Sequence, residues 1–273
     1  MKGIVTLIAS SLWAVPAVAD NDSWLLGNWG GQRQALADRG LDMEFVASTD
    51  LMAVVDGGLS RGVETPANFD MVFTLDTGKA GWWNNGSVGV YLLGNTGGDP
   101  SRRAGDLQVA SNIEAPDTFK LFEAYYEHRF FDDRLGILVG LHDINADFYV
   151  TEHSGIFLNS SFGIGVDVAQ VGPSIFPTTS PGVRIRLNWT PNTYLLAAVY
   201  DGVAGDPNDP YGTHISFDHG DGVFVIAEAG VLGGESHYYK LGVGGWHHTA
   251  NIDDLDGRPQ DDNSGVYAIG EAD

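Results

Sequence analysis

The 273-residue sequence has no cysteine and few basic residues. Beyond its N-terminal stretch, it also has no run of the ~20 apolar residues that a transmembrane helix needs. Without cysteine, a disulfide framework and a thiolate metal site are excluded. Only 14 lysine and arginine residues stand against 36 acidic ones, a net charge of −22. Nucleic acid is therefore not expected as a partner, because phosphate binding needs a basic surface. Charged residues reach only 18%, below the ~25% of soluble domains.

Residues 1–19 have the three parts of a secretory signal peptide in the right order. Lys2 provides the positive charge, residues 4–15 form an apolar stretch too short to span a bilayer as a helix, and an A-x-A cleavage site ends at Ala19. A buried N-terminal helix is the alternative interpretation. We expect export with cleavage near Ala19, so that a membrane location would require strands.

The rest of the sequence is dominated by alternation of apolar and polar residues with period two, which predicts β-strands. One exception comes first: residues 32–39 favour a helix that Gly40 ends, so we predict a periplasmic segment with a short helix over residues 20–40. About ten strands of roughly 8–12 residues follow, the length that crosses a membrane when tilted. They are predicted at residues 41–55, 69–76, 88–93, 119–130, 135–141, 183–189, 194–201, 223–231, 238–248 and from 265 onward.

The connections between these strands alternate between short and long. The short ones are residues 79–86, 131–133, 190–193 and 232–236. The long ones are residues 56–68, 94–118, 142–181, 202–222 and 249–264. Short turns on one side and long loops on the other are typical of a membrane barrel, whereas a soluble sandwich has no reason to keep that order. We therefore predict an all-β fold, a transmembrane antiparallel up-and-down β-barrel, over residues 41–273.

The stretch VRIRLNW, residues 183–189, decides which strand face is inside. An arginine facing lipid near mid-membrane costs about 2–4 kcal/mol, so Arg184, Arg186 and Asn188 are predicted to face the lumen and the residues between them lipid. The same rule places Phe122 on the lipid side. It places these residues inside: Asp42, Glu44, Asp70, Thr74, Asp76, Glu123, Tyr125, Glu127, Arg129, Glu228 and Lys240. Aromatic residues at the short turns predict an interface girdle: Trp82, Trp83, Trp189 and Tyr194.

Several spaced motifs occur in order along the chain. Residues 27–45, GNWGGQRQALADRGLDMEF, contain W-G-G-x-R-x-x-L-x-x-x-G directly before the first strand. Residues 121–148 form a strand–turn–strand unit that ends in G-x-x-D-x-x-x-D-F, here Gly140, Asp143, Asp147 and Phe148. Together with the segments 155–163, 239–246 and 263–271, these motifs resemble the OprB family of carbohydrate-selective porins over nearly the whole mature chain.

This resemblance implies a bacterial outer-membrane porin, not an enzyme, for passive diffusion of glucose and other small sugars. It also implies a barrel of about sixteen strands. Because only about ten strands fit, we expect a C-terminally truncated member that either closes as a smaller barrel or leaves an open sheet with two bare edges. The implied partners are small sugars and outer-membrane lipid, with a homotrimer suggested by analogy to other porins. No cofactor or metal is expected.

A sugar-selective pore needs fixed donors and acceptors together with aromatic faces. The lumen and substrate path is predicted to consist of Arg184, Arg186, Asn188, Glu123, Tyr125, Glu127, Arg129, Asp70 and Lys240. The connection 142–181 is predicted to fold inward and narrow the channel through Phe148, Phe157, Asn159 and Phe162. The alternative is that these aromatic side chains only pack the loop against the barrel wall.

Other classes of function find weaker support. Glu123 and Glu127, four apart on a strand, stand ~13 Å apart, beyond the ~5–9.5 Å that glycosidases use. His247 and His248 point to opposite faces of a strand and make a poor chelate. The acidic stretch 251–257 places its acids wrongly for a calcium loop. A secreted soluble β-protein that binds carbohydrate, and a barrel for other small solutes, remain as alternatives.

Overall fold

The computed structural model describes residues 25–206, 208–217, 220–234, 237–250, 252–253, 258–260 and 262–273. The predicted signal peptide, residues 1–19, lies outside this part of the chain, as does most of the acidic stretch 251–257. No helix in the described ranges is both long enough and apolar enough to cross a membrane.

The described chain contains fourteen strands. They are β1 (Leu41–Thr49), β2 (Met52–Val54), β3 (Gly62–Glu64), β4 (Ala67–Asp76), β5 (Gly86–Thr96), β6 (Thr118–Phe130), β7 (Leu135–Leu141), β8 (Pro181–Thr190), β9 (Thr193–Asp201), β10 (Val223–Gly233), β11 (Tyr239–His248), β12 (Ile252–Asp253), β13 (Pro259–Gln260) and β14 (Asn263–Ala272).

Ten of these strands form one antiparallel sheet in the order β1-β4-β5-β6-β7-β8-β9-β10-β11-β14. Each of the ten pairs with the next along the chain, which confirms the predicted up-and-down topology. The remaining strands form two small hairpins, β2 with β3 and β12 with β13, inside long connections. The strand predicted over residues 41–55 ends earlier than expected, at Thr49, because the residues after it begin the β2–β3 hairpin. Among the described residues, β1 and β14 each pair with a single neighbour, so the sheet is not closed.

Short helices lie before the sheet and within its connections. The α-helices are α1 (Gln32–Ala37), α2 (Pro100–Ala104) and α3 (Val166–Ala169). The 3-10 helices are Trp29–Gly31, Ile144–Ala146, Ser154–Ile156 and Ser160–Phe162. The predicted N-terminal helix is therefore present before the first strand.

Two glycines of the sequence motifs are required by the backbone around them. Gly40, between α1 and β1, has φ 90°, and a Cβ there would lie 2.6 Å from the carbonyl oxygen of Asp76. Gly140, near the end of β7, has φ 143°, and its Cβ would lie 2.2 Å from the carbonyl oxygen of Ala124. Any side chain would force these strands apart, since Cβ atoms essentially never approach backbone so closely.

The connection between β7 and β8, residues 142–180, covers one face of the sheet, and we call it the strap. The face that it covers is the inner face, and the opposite face is the outer face. Ile144, Phe148 and Val168 of the strap are fully buried against inner-face side chains such as Tyr200 and Phe224. The main apolar core therefore lies between the strap and the sheet.

The two faces of the strands differ as the alternation predicts. On β9, Leu196 and Tyr200 are buried on the inner face, whereas Leu195 and Val199 are exposed on the outer face. The outer face carries further exposed apolar side chains: Phe69, Phe119, Val139, Val183, Ile185, Val225, Leu241, Val243 and Val266. A continuous apolar surface of this kind suits contact with lipid.

Two assignments made from the sequence are wrong: the lipid-side position of Phe122 and the place of Tyr194 in the aromatic girdle. The pairing of β5 with β6 shifts register after Tyr91, so that Phe122 turns inward beside Glu123 and lies 5.0 Å from the Tyr91 ring. Tyr194 does not join an aromatic girdle: it is buried on the inner face, where its hydroxyl donates to Glu228 at 2.6 Å. Strict alternation cannot anticipate a bulge or a buried acceptor supplied by a neighbouring strand.

Candidate functional site

An ion-pair network fixes the start of the strap to the inner face. Arg184 of β8 donates through Nε to Asp147 Oδ2 of the strap and through Nη1 to Glu127 Oε1 of β6, both at 2.8 Å. All three side chains are at least 88% buried, so water screens these interactions little. Arg186 Nη1 approaches Asp147 Oδ1 at 3.7 Å. Asp147, the second acid of the G-x-x-D-x-x-x-D-F motif, therefore receives both arginines of the VRIRLNW stretch.

Beyond Asp147 the strap crosses β10, β11 and β14 in turn and meets one charged side chain on each. The Tyr149 amide donates to Glu228 Oε2 at 3.1 Å, and Lys240 Nζ donates to the Val150 carbonyl at 2.6 Å. The amide of Glu152 donates to Glu271 at 2.8 Å. The charged side chains along this part of the inner face thus bind the strap backbone.

Glu228 is the most heavily used of these anchors. Its carboxylate is 1% exposed and accepts hydrogen bonds from the Tyr194 hydroxyl at 2.6 Å and the Tyr267 hydroxyl at 2.7 Å, besides the Tyr149 amide. The Tyr149 and Tyr267 rings stack with centroids 3.6 Å apart. Tyr149 has φ 61°, an uncommon conformation for a residue with a side chain, and these contacts hold it there.

The other predicted cations lie closer to the short turns. Arg186 and Lys240 both approach the Tyr194 ring, with their charged groups 5.6 and 5.4 Å from its centroid. Arg186 Nε also donates to Asn188 Oδ1 at 3.2 Å. Arg129 pairs with Glu127 at 3.2 Å but its side chain is 41% exposed. It is therefore the predicted arginine most open to solvent.

Burial shifts the acid–base equilibria of the motif residues in the strap. It lowers the pKa of His142 to about 4, an effect that the nearby Asp147 carboxylate only partly offsets. Burial also raises the pKa of Asp143 to about 7, although its side chain accepts a hydrogen bond from the Asn145 amide. Burial alone would raise the pKa of Asp147, but the charge of Arg184 reverses this and holds that pKa below its usual value.

On the other half of the sheet the strap leaves a cavity of about 370 Å³. This volume falls within the ~300–1,000 Å³ typical of small-molecule sites. Its sheet wall is the inner face of β1, β4, β5 and β6, and this wall carries several polar groups. They include Glu44, Asn68, Asp70, Glu123, Tyr125 and Glu127, faced across the cavity by Asn112, Asn145 and Asn159 of the connections.

Aromatic side chains complete the cavity wall. The Tyr91 hydroxyl donates to Asp70 Oδ1 at 2.6 Å and thereby orients that carboxylate. Phe157 of the strap lines the cavity and is 43% exposed. Its ring stacks on Phe162, with centroids 4.1 Å apart, and Phe162 itself is not among the lining residues. Phe148, in contrast, is fully buried in the core.

A second connection, residues 97–117, lies against the strap and narrows the cavity from that side. The Asn112 amide donates to the Leu158 carbonyl at 2.7 Å, and the Ser160 amide donates to the Val109 carbonyl at 3.2 Å. Gln108 Nε2 also donates to the Ile164 carbonyl at 2.9 Å. The two connections therefore pack together as one unit.

The structure brings together Asp70, Glu123, Tyr125, Glu127 and Arg184 around one cavity, and it separates them from Arg186, Asn188 and Lys240. The sequence reasoning missed several lining residues, chiefly Tyr91, Asn112 and Asn145. Tyr91 alternates with the outward-facing residues of β5, so the sequence pattern alone could have placed it on the inner face. Within the described part of the chain, no group of three or more histidine and acidic residues is arranged to hold a metal.

Comparison with known families assigns the chain. The model of the family described as "Carbohydrate-selective porin, OprB family" matches residues 60–268. The chain belongs to this family. A relative, Porin B of Pseudomonas aeruginosa, is 25% identical over 279 aligned residues, which cover 93% of this chain and 59% of that protein. The chain thus spans less than two thirds of the length of this relative.

Two solved structures share the fold. The high-pH structure of Pseudomonas putida OprB matches 91% of this chain and 65% of that one, with a TM-score of 0.77 at 18% identity. The low-pH structure of the same protein matches with a TM-score of 0.52 at 15% identity, covering 91% and 72% of the two chains. At these identities the likeness supports the sheet and its topology, and it says nothing by itself about the solute.

Proposed function

We propose that this OprB-family chain provides a path for passive diffusion of glucose and other small sugars across the bacterial outer membrane, without catalysis. The observation that carries the proposal is the cavity between the strap and the inner face of β1, β4, β5 and β6. It combines hydrogen-bonding groups on the sheet with exposed aromatic faces on the strap. A sugar presents hydroxyls at its edge and apolar C–H groups on its faces, and this wall complements both.

Within this path we propose distinct roles for the predicted residues. Asp70, Glu123 and Tyr125 offer hydrogen-bonding groups to sugar hydroxyls. Phe157, backed by the stacked ring of Phe162, offers an apolar face. Asn159 supports this pair, because its side chain accepts a hydrogen bond from the Ser161 amide at 2.9 Å.

The remaining predicted residues serve the strap and the rim. Arg184, Glu127, Lys240 and Phe148 hold the strap in place, since their polar or apolar groups are already engaged there. Arg129, Arg186 and Asn188 form a polar rim nearer the short turns.

The same observations support a proposed setting for the path. The family description implies the outer membrane, and the exposed apolar outer face favours contact with lipid over a soluble location. We propose export through the segment 1–19 with cleavage near Ala19, and a homotrimer as the assembly by analogy with porins.

Swelling of proteoliposomes in isotonic glucose tests the path. Asp70→Asn combined with Tyr91→Phe removes a fixed carboxylate and its orienting hydroxyl, so we expect the glucose rate to fall several-fold. Asp132→Asn, in an exposed turn, is the matched control and should leave the rate unchanged. A protein that admits no sugar at all, or a double variant with the wild-type rate, would contradict the proposal. A panel including aromatic acids and cations separates sugars from other solutes.

A further inference from the structure

The segment before the first strand exposes large apolar side chains that the sheet does not cover. Leu25 is fully exposed, Leu26 is 70% exposed and Trp29 is 37% exposed. A tail hanging free in an aqueous compartment gains nothing from such a cluster. Exposed apolar groups gathered in one place mark a surface that meets another apolar phase.

The segment is held in a defined position by β1. The Trp29 ring lies 6.2 Å from the ring of Phe45, which in turn lies 5.7 Å from Phe73 on β4. Arg33 sits over the Trp29 ring at 5.6 Å and donates through Nη2 to the Met43 carbonyl at 2.5 Å. Phe45 and Phe73 belong to the outer face, so Trp29 begins an aromatic row that continues onto the apolar surface of the sheet.

The position lies at the end of the sheet where the short turns are. The Asp76 amide donates to the Gly40 carbonyl at 2.8 Å, so the link between α1 and β1 contacts the turn after β4. That turn carries Trp82 and Trp83, which are 61% and 50% exposed and fit an interfacial girdle. The segment therefore enters the sheet at the rim that carries the turn tryptophans.

The charges near this rim do not favour electrostatic attachment. Arg39 and Lys79 are exposed beside Gly40, but Asp38 and Asp76 accompany them. Because the signs are mixed, the apolar and aromatic groups must supply the contact with the membrane.

We propose that residues 25–31 insert into the headgroup–acyl boundary of the leaflet on the short-turn side, as an interfacial anchor clamped to β1 by Trp29 and Arg33. The occupant of this surface is phospholipid. The segment continues the lipid-facing surface of the sheet, and tryptophan is suited to the boundary because its ring is apolar with one polar N–H. The W-G-G-x-R motif would thus attach the anchor as well as lead into the first strand.

Site-directed labelling tests this directly, because the chain contains no cysteine. Leu26→Cys is labelled with the fluorophore NBD and reconstituted in phosphatidylcholine vesicles containing doxyl-labelled lipid. We expect blue-shifted emission and strong quenching by the doxyl lipid, as for a label at Val243 on the outer face of β11. A label at Asp106, in a long connection, should be quenched by aqueous iodide instead. Heat-modifiable migration on gels checks that each variant is folded.

Adding Trp29→Ala to the Leu26→Cys protein should reduce quenching by doxyl lipid several-fold, because the clamp to Phe45 is lost. High salt should change little, since the contact is apolar. A label at residue 26 that behaves like the one at Asp106 would overturn the proposal. So would a label shielded from both quenchers, which would indicate a second protein copy on this surface. Quenching unaffected by Trp29→Ala would overturn the clamp.

Discussion

The two halves of the inner face differ in what they present to the strap. On β9, β10 and β11 the inner face carries Leu196, Tyr200, Phe224, Ile226 and Trp246, all buried beneath the strap. On β1, β4, β5 and β6 it carries carboxylates, amides and tyrosines, and a cavity remains in front of them. The same alternation of residues thus produces a binding surface for the protein's own loop on one half and a cavity, the proposed solute path, on the other.

This difference explains where the cavity lies. A long loop gains most by burying apolar groups, so the apolar half of the inner face attracts the strap. Charged residues around that half, such as Arg184 and Glu228, then fix its course by binding its backbone and Asp147. The cavity is displaced toward the polar half as a consequence. If the cavity is the solute path, as we propose, selectivity and loop anchoring depend on different residues and can be changed separately.

The strongest test of that separation is Phe148→Ala on the covered half. Phe148 is fully buried between strap and sheet, so the substitution should lower the free energy of unfolding by about 3–5 kcal/mol. Denaturant titration followed by tryptophan fluorescence measures the loss, and limited proteolysis should show cleavage within the strap.

Phe157→Ala is the matched control, since Phe157 is 43% exposed and faces the cavity. It should alter glucose flux and change stability little. Equal losses of stability in the two variants would refute the division between anchoring and path residues.

The next largest effect is expected from Arg184→Ala. This change leaves Glu127 and Asp147 buried without their shared cation. We expect the free energy of unfolding to fall by about 3 kcal/mol. This is the lower end of the range for a broken buried ion pair, because the Arg184 side chain also borders the cavity. Arg129 contacts the same Glu127 but is 41% exposed, so Arg129→Ala should cost about 0–1 kcal/mol. Thermal melting of both variants measures the difference, and similar shifts would contradict this account of the anchor.

Much of the sheet was predictable from sequence because strands of a membrane sheet obey local rules. The alternation located nine of the ten strands to within three residues and overran the first by six. The cost of charge in lipid placed Arg184 and Glu228 on the inner face. The short connection predicted at residues 131–133 is a tight turn, in which three consecutive residues have positive φ. The family resemblance pointed to Asp147 and Phe148 but gave neither a role.

The site was less predictable because its geometry depends on contacts between distant segments. Nothing local to Asp147 shows that Arg184, 37 positions later, will bind it. Phe122 and Phe148 are both aromatic residues in patterned segments, yet a bulge turns one inward and the apolar half of the sheet buries the other. Side-chain roles in a loop are set by the surface on which the loop settles, and that surface exists only after the sheet has formed.

The open half can be tested by filling the cavity. Val46 of β1 lines it, so Val46→Phe should narrow the path and lower the rate of glucose-driven swelling several-fold. Stability should change little, because the new ring extends into empty space. Ala47→Phe, on the outer face of the same strand, adds the same ring toward lipid and should leave the rate unchanged. Equal effects of the two variants would indicate that solutes do not follow this cavity.

The smallest expected effect is an opposite pH dependence of two neighbouring variants in the strap. Burial lowers the pKa of His142 from 6.5 to about 4, so its contribution to stability is present above pH 6.5 and is lost as pH falls toward 4. Burial raises the pKa of Asp143 from 3.8 to about 7, so its contribution is present below pH 3.8 and is lost as pH rises through 7.

The Asp143→Asn variant keeps only the histidine effect, and the stability of this variant should rise between pH 4.5 and 6.5. His142→Gln leaves only the carboxyl effect, and its stability should fall over the same range. Comparing the two by denaturant titration cancels the background of the other acids, and parallel slopes would show that these groups do not titrate within the packed strap.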